Sequence, residues 1–372
     1  MRRLLSLRER IKKMTYQNSS GSIFMQNPVC PVPHYHTDTI VIGHGSGGQM
    51  THDLIQNIFQ SQIGNEYLFE GNDSANIKLQ NNQSQIAIST DSHVISPLFF
   101  PGGDIGRVAV CGTVNDITTS GAQPLFLTAG FIIEEGFPVS SLQRIVKSIA
   151  ETCLEAGVKI VAGDTKVVEK GSADGIFINT SGFGVIPDNR QLGGQFAQPG
   201  DAVLITGTLG DHAIAVLQAR GELGFNSNIE SDVAPLNYMI DDLLTAVPDV
   251  HVLRDPSRGG LATSLKEIAC QSQVGIDLFE KHIPINHQVR SACEMLGFDP
   301  LYLANEGKMI IILPDNHAEK ALEIIKKSPY GKNAKRIGLI THEHPKDVLL
   351  HTPYGSTRLL DMLAGEILPR IC

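Results

Sequence analysis

From residue 39 onward the chain alternates short apolar runs with longer segments of helical spacing. Apolar runs at residues 39–42, 85–91, 125–134, 158–164 and 176–186 predict strands. Between them, residues 104–122 and 138–156 repeat apolar positions at three- and four-residue intervals and predict helices, and a further helix through Leu54 and Ile58 follows the first strand. Strands interleaved with helices define an α/β or α+β layer domain. The pattern breaks between Pro187 and Gly200, and a second unit opens with a strand at residues 201–206. Helices are predicted there near residues 209–219, 236–246, 258–272 and 316–327. Four segments follow: an extension at 1–38, a first domain at 39–190, an α+β second domain at 200–350, and an arm at 351–372 into which the chain thins after Pro345.

The extension joins a basic stretch, Met1-Arg2-Arg3 through Lys12-Lys13, to a Ser/Asn/Pro-rich run without periodicity, and is expected to be mobile. The 372 residues exceed what one core organises, which agrees with two domains. At 42% hydrophobic and 19% charged residues, both can bury a core without metal or disulfide staples. A net charge of −9 argues against a nucleic-acid or anionic-membrane partner. The six cysteines, at 30, 111, 153, 270, 293 and 372, contain no Cys-x-x-Cys pair, so neither a zinc site nor a disulfide framework is expected. Cys111, Cys153 and Cys270 lie in apolar helical patterns and read as buried small hydrophobes. No run approaches the length of a membrane span and no signal-peptide core is present, so the expected compartment is the cytoplasm.

Four aspartates stand in unusual surroundings. Asp73 lies in Gly-Asn-Asp-Ser, Asp91 in Ser-Thr-Asp-Ser, Asp116 in Val-Asn-Asp-Ile and Asp164 in Ala-Gly-Asp-Thr. Asp91 and Asp164 end apolar strands, where α/β proteins assemble sites from one sheet edge. Asp116 interrupts a helix almost devoid of charge, and a buried unpaired carboxylate costs several kcal/mol. Each alone reads as a turn or helix cap. Together, without His or Cys companions, they suit Mg²⁺ holding nucleotide phosphates. Gly43-His44-Gly45-Ser46-Gly47-Gly48 fits G-x-G-x-x-G between a strand and a helix, but no clear acidic partner follows at the Rossmann distance. Two readings stay open: a loop of amides closing over phosphates, or a simple glycine turn.

Five segments in order make the reading specific: His44-Gly45-Ser46-Gly47-Gly48, residues 96–106 (Ser-Pro-Leu-Phe-Phe-Pro-Gly-Gly-Asp-Ile-Gly), Gly163-Asp164-Thr165-Lys166-Val167-Val168, Arg254-Asp255-Pro256-Ser257-Arg258-Gly259-Gly260-Leu261, and Ala304-Asn305-Glu306-Gly307-Lys308. The chain then ends in Pro369-Arg370-Ile371-Cys372. This set resembles the hydrogenase maturation factor HypE family, over about residues 39–372. That family belongs to an ATP-dependent superfamily with aminoimidazole ribonucleotide synthetase, selenophosphate synthase and thiamine-phosphate kinase.

The resemblance implies a two-domain aminoimidazole ribonucleotide synthetase-like fold, α/β and α+β, with a flexible C-terminal Cys tail and a homodimer formed through the first domain. It implies a carbamoyl dehydratase: a carbamoyltransferase, HypF, loads Cys372, ATP phosphorylates the amide oxygen, and loss of a proton and phosphate leaves a thiocyanate. The cyanide then passes to iron on a HypC–HypD complex to supply a [NiFe]-hydrogenase. On this reading Asp73, Asp91, Asp116 and Asp164 hold Mg²⁺ and, with Asn115, Gly45, Ser46, Gly47 and Gly48, the ATP. Glu306 is the base and Lys166 its helper, while Cys372 is a carrier that swings in. Arg370 should favour a thiolate at Cys372 and the adjacent α-carboxylate should oppose it. The sequence departs from the family at His93, where Tyr or Phe is expected, and in the extension.

Overall fold

A computed structural model describes residues 44, 47–63, 65–78, 85–221, 228–363, 365, 368 and 370–372. The predicted extension, the strand at 39–42, Gly45, Ser46 and Pro369 lie outside the described residues. Helix α1 (Gln49–Leu54) runs on into a π-helical turn, Ile55–Gln60. The first sheet comprises β1 (Ala75–Lys78), β2 (Gln85–His93), β3 (Gln123–Glu134), β4 (Lys159–Val168) and β5 (Ile176–Ile186), with α2 (Ile105–Thr119) between β2 and β3 and α3 (Val139–Ala156) between β3 and β4. Strand order is β1-β2-β5-β3-β4, and only the β3–β4 pair is parallel, as their α3 crossover requires.

Helix α2 is the sequence's clearest forecast. Asp104 caps it, accepting from Gly106 N at 2.8 Å and Arg107 N at 3.2 Å, which satisfies two of the free amides at a helix start. Of its 15 residues only Arg107 and Asp116 are not fully buried. An all-round apolar helix must be enclosed, and α2 lies between the sheet and α3. The opposite sheet face is open. It presents Ile88, Phe126, Phe183 and Ile132, with Ile88 40% and Ile132 44% exposed.

The second sheet comprises β6 (Asp201–Ile205), β7 (Val252–Arg254), β8 (Gly275–Phe279), β9 (Ile310–Pro314), β10 (Lys335–Thr341), β11 (Val348–His351) and β12 (Thr357–Leu360). Their order is β12-β11-β8-β10-β6-β9-β7. Strand β6 is buried throughout, and its period of two divides it between two cores. Val203 and Ile205 meet α6 (Gly260–Ser272), while Ala202 and Leu204 meet α5 (Asn237–Ala246) and α8 (Ala318–Ile325). Helices α4 (Asp211–Arg220) and α7 (His287–Leu296) face the other way, and their Ile214, Leu217, Val289 and Ala292 join the core of the first sheet.

Strands β11 and β12 correct the forecast that the chain thins after Pro345. Val348, Leu350 and Leu360 point inward and are buried, although the outward His351 and Thr357, and the exposed edge residue Arg358, dilute the apolar signal of these four-residue strands. Cys111 and Cys153 are buried as expected, whereas Cys270 is only partly so. Among the described residues no helix is long and apolar enough to cross a membrane.

Candidate active site

Asp73 precedes β1, Asp91 lies near the end of β2, Asp116 in the last turn of α2, and Asp255 follows β7. Asp116 meets the charge of the other three. Burial first, then Asp255, Asp91 and Asp73, holds Asp116 well above the usual carboxylate range, although Ser89 Oγ donates to its Oδ2 at 2.7 Å. Burial pushes Asp255 up to about 6 and Asp73 up to about 7. Asp73 rises although Arg254 meets it twice, Nη1 to Oδ1 at 3.0 Å and Nε to Oδ2 at 3.0 Å. The second approach lacks hydrogen-bond alignment, so Oδ2 stays buried and unsatisfied. Arg254 is itself divided, with Nη1 also donating to Glu267 Oε2 at 3.0 Å.

Glu306 joins the cluster from the loop before β9. It is 7% exposed, its Oε1 has no partner, and burial followed by Asp91, Asp255 and Asp232 raises its pKa well above the ordinary value. Asp232 Oδ1 accepts from Glu306 N at 3.1 Å, and its Oδ2 lies 3.0 Å from Lys308 Nζ. So many carboxylates with so little local neutralisation fit a hard divalent cation and a nucleotide's phosphates. Among the described residues no three of these side chains converge into a closed cage, so the fit rests on charge and on the orphaned Asp73 and Glu306 oxygens.

The sequence-derived set does not assemble as one group. Asp91 pairs with Thr180, Thr180 with Ala129 and Ala129 with Gly163, so Asp164 belongs to the next row and faces the opposite side of the sheet. There its carboxylate accepts from Lys166 Nζ at 2.7 and 2.6 Å, with both side chains more than two-thirds exposed. Lys166 is therefore not beside Glu306. It instead lines a cavity of about 420 Å³ with Asp164, Ser92, His93, Val94 and Asn179. Asn115 needs correction as a nucleotide contact. It is 2% exposed and its amide is spent on backbone, donating to Ala234 O at 3.0 Å and Glu306 O at 3.4 Å and accepting from Leu236 N at 2.9 Å. It fixes the Glu306 loop.

Of the glycine-rich segment, His44, Gly47 and Gly48 are described. The Gly47 amide donates to Thr51 Oγ1 at 2.9 Å, and Gly47 sits at φ +76°, where a Cβ would meet Arg258 at 3.1 Å. A Cβ on Gly48 would lie 2.2 Å from the Leu363 carbonyl oxygen. Both glycines are thus required by turn geometry and close packing.

The tail is seated. Val94 N donates to the Cys372 oxygen at 3.0 Å and Ser96 N to Arg370 O at 3.1 Å, so residues 370–372 run antiparallel along the extension of β2. Arg220 of α4 donates Nη2 to Arg370 O and Nε to Ser96 O, each at 2.7 Å, and His212 Nε2 lies 2.7 Å from Ile371 O. Ile371 is 4% exposed. Arg370 pairs with Asp174, which draws its charge from the thiol it was expected to activate. Burying Ile371 stabilises the seat by roughly 2 kcal/mol and each hydrogen bond by about 1. Ordering three residues costs about 1–2 kcal/mol apiece, so the seat is close to balance and a seated tail can leave it.

His93, the departure from the family pattern, is buried on the α2 side, with Nε2 3.3 Å from Thr180 Oγ1 and 3.7 Å from Asp91 Oδ2. Burial lowers its pKa against the pull of Asp91. Gly112 of α2 leaves room for both, because a Cβ there would lie 2.9 Å from Asp91 Oδ2 and 3.1 Å from the His93 ring. Asp255 and Arg254 lay within a quoted motif but drew no role, since Arg-Asp-Pro reads equally as a turn. Asp232 and His212 carried no sequence signal.

Both domains match known families: AIR synthase related protein, N-terminal domain, over residues 71–186, and AIR synthase related protein, C-terminal domain, over residues 198–350. The fold and its paired domains place the chain among the AIR synthase related proteins. It is 50% identical over 329 residues to the carbamoyl dehydratase HypE of Azotobacter vinelandii, covering 88% of this chain and 96% of that one. The crystal structure of a HypE–HypF complex superposes with a TM-score of 0.79 at 54% identity, covering 83% of this chain and 99% of the other. A HypE crystal structure in complex with ATP gives 0.75 at 47% identity, covering 90% and 100%. The chain belongs to the HypE carbamoyl dehydratase family.

Proposed function

We propose that this protein dehydrates a carbamoyl group carried on the sulfur of its own Cys372, using ATP, and so makes the cyanide delivered to hydrogenase iron. One observation carries the reading: Cys372 is hydrogen-bonded to Val94, three residues beyond Asp91, so the carrier residue and the acidic cluster share one strand and its extension.

The overall change is S–C(=O)NH₂ plus ATP to S–C≡N plus ADP and phosphate. Mg²⁺-ATP supplies the phosphoryl group that turns the amide oxygen into a leaving group, and Asp73, Asp91 and Asp116 would hold the metal. Asp255 joins them by its position and charge. Both amide protons leave: one as the oxygen takes the phosphoryl group, the second as the C–O bond breaks and the nitrile forms. Glu306 is the base for the second. Its carboxyl, held well above the usual carboxylate range by burial and by Asp91, Asp255 and Asp232, is a stronger base than a surface glutamate. Asn115 and Asp232 hold its loop from both sides. Lys166 acts from the cavity beside Val94, where its charge meets the departing phosphate.

We infer a homodimer that covers the open face of the first sheet. Ile88, Phe126, Phe183 and Ile132 offer it an apolar patch, and β4 is exposed over nine of its ten residues as an uncovered edge. Asp164 and Lys166 on that face would be enclosed by the second copy. A HypF-type carbamoyltransferase loads the tail and a HypC–HypD-type complex accepts the cyanide, as the HypE–HypF complex among the relatives supports for the first. Dependence on ATP and on a reduced thiol outside any disulfide supports a cytoplasmic reaction.

Deletion of Cys372 tests the proposal. ATP binding should persist, while ATP turnover coupled to the carbamoylated tail should disappear. Undiminished turnover in the deletion variant would refute it.

A further inference from the structure

We propose that His212 is a positioning residue that couples the seat of the tail to the loop holding Glu306. His212, the second residue of α4, is fully buried, and each ring nitrogen has one partner. Nε2 lies 2.7 Å from the Ile371 carbonyl oxygen and Nδ1 2.7 Å from Ser231 Oγ.

Hydrogen-bond chemistry fixes every direction in this chain. A carbonyl only accepts, so Nε2 carries the proton. Burial lowers the imidazole's pKa and keeps the ring neutral, so Nδ1 accepts from the Ser231 hydroxyl. The Ser231 oxygen in turn accepts from Val233 N at 3.1 Å. Phe100 meets the ring edge-on at 5.4 Å and fixes its plane. Ser231 N donates to Pro101 O at 2.8 Å, so the loop is anchored independently of the tail.

The next residue completes the link, because Asp232 accepts from Glu306 N at 3.1 Å and lies beside Lys308 at 3.0 Å. The path is therefore Ile371 to His212, to Ser231 and Asp232, to Glu306. A histidine serving only to fill the core would bond to parts of the fold that stay put. His212 instead bonds to the penultimate residue of the chain, whose neighbour is the carrier. When the tail leaves, Nε2–H loses its acceptor in a buried site, and the ring's hold on the Ser231 side chain beside Asp232 loosens while the Pro101 bond keeps the loop backbone in place.

The inference rests on the proposed roles of Cys372 and Glu306, and its test separates the two. His212→Phe keeps the ring contact and removes both hydrogen bonds; His212→Gln keeps a donor toward Ile371. The first measurement is the alkylation rate of Cys372 by N-ethylmaleimide, read from the C-terminal peptide mass in full-length protein without ATP or partners. His212→Phe should raise it about tenfold and His212→Gln should restore it to within about twofold of wild type. The second is single-turnover dehydration of carbamoylated protein, which should fall at least tenfold in His212→Phe at unchanged ATP affinity. An unchanged alkylation rate in folded His212→Phe overturns the seat, and faster alkylation with unchanged dehydration overturns the coupling to Glu306. If His212→Phe does not fold, Ser231→Ala tests the coupling in its place, because it cuts the path and leaves the Ile371 bond: dehydration should fall at least tenfold with alkylation unchanged, and undiminished dehydration overturns the coupling. If no carbamoyl group is ever dehydrated, the proposed function falls, while the alkylation result still decides the seat.

Discussion

Asp91 of β2 and Asp164 of β4, two strands apart in the same sheet, face opposite sides of it, one row apart in register. Asp91 lies against α2 with the buried carboxylates, and Asp164 lies on the open face with Lys166. The two aspartates therefore have different energetics and should respond differently to substitution.

Neutralising Asp116, the most strongly opposed carboxylate of the cluster beside Asp91, should stabilise the protein. Asp116→Asn keeps an oxygen to accept from Ser89 and removes a carboxyl whose ionised form Asp255, Asp91 and Asp73 all oppose. We expect the metal-free variant to be more stable by about 1 kcal/mol in urea unfolding and to lose Mg²⁺-dependent ATP binding. A less stable variant would contradict the charge argument.

The exposed pair should behave otherwise. Lys166→Met leaves a solvated pair broken, so thermal stability should not change. Dehydration should slow about a hundredfold if the ammonium meets phosphate. Equal rates in wild type and variant would remove Lys166 from the mechanism.

Stability should also depend on pH and metal together. Asp73 and Asp255, at about 7 and 6, and Asp116 hold protons in the folded chain that an unfolded chain releases near its ordinary carboxylate pKa. The folded state binds more protons across that window, so this cluster's contribution to stability is present below about pH 4 and is lost as pH rises toward 7. Mg²⁺ should offset the loss, raising the melting temperature more at about pH 8 than at about pH 6. Calorimetry at the two pH values measures it, and an equal rise would contradict the proposed metal site.

Glu306→Gln removes the base but leaves the Asn115 and Asp232 bonds to its backbone. Single-turnover dehydration should fall about a thousandfold while ATP affinity stays within about threefold. Retained dehydration would place the base elsewhere.

Ile132→Asp puts a charge on the open face. Sedimentation should show a monomer in place of a dimer. A dimer that survives would place the interface on another surface.

Much of the fold was legible because its elements are long and uniformly patterned. Helix α2 shows its burial in the absence of charge, and β5 matches its forecast residue for residue. Strands β11 and β12 were hidden because each is only four residues long and His351, Thr357 and Arg358 interrupt their apolar pattern. The acidic character of the site was legible in its small-residue surroundings, but the face of each aspartate depends on register across three strand pairs, which no local pattern encodes. His212 and Asp232 were illegible for a similar reason. Their partners lie 159 and 74 residues away in the chain.

The central claim is that Cys372 carries the reacting group, and intact mass of the C-terminal peptide tests it most directly. After incubation with the carbamoyltransferase, carbamoyl phosphate and ATP, we expect the mass of one carbamoyl group on Cys372, followed by the loss of one water as the thiocyanate forms. A C-terminal peptide whose mass never changes would contradict the account.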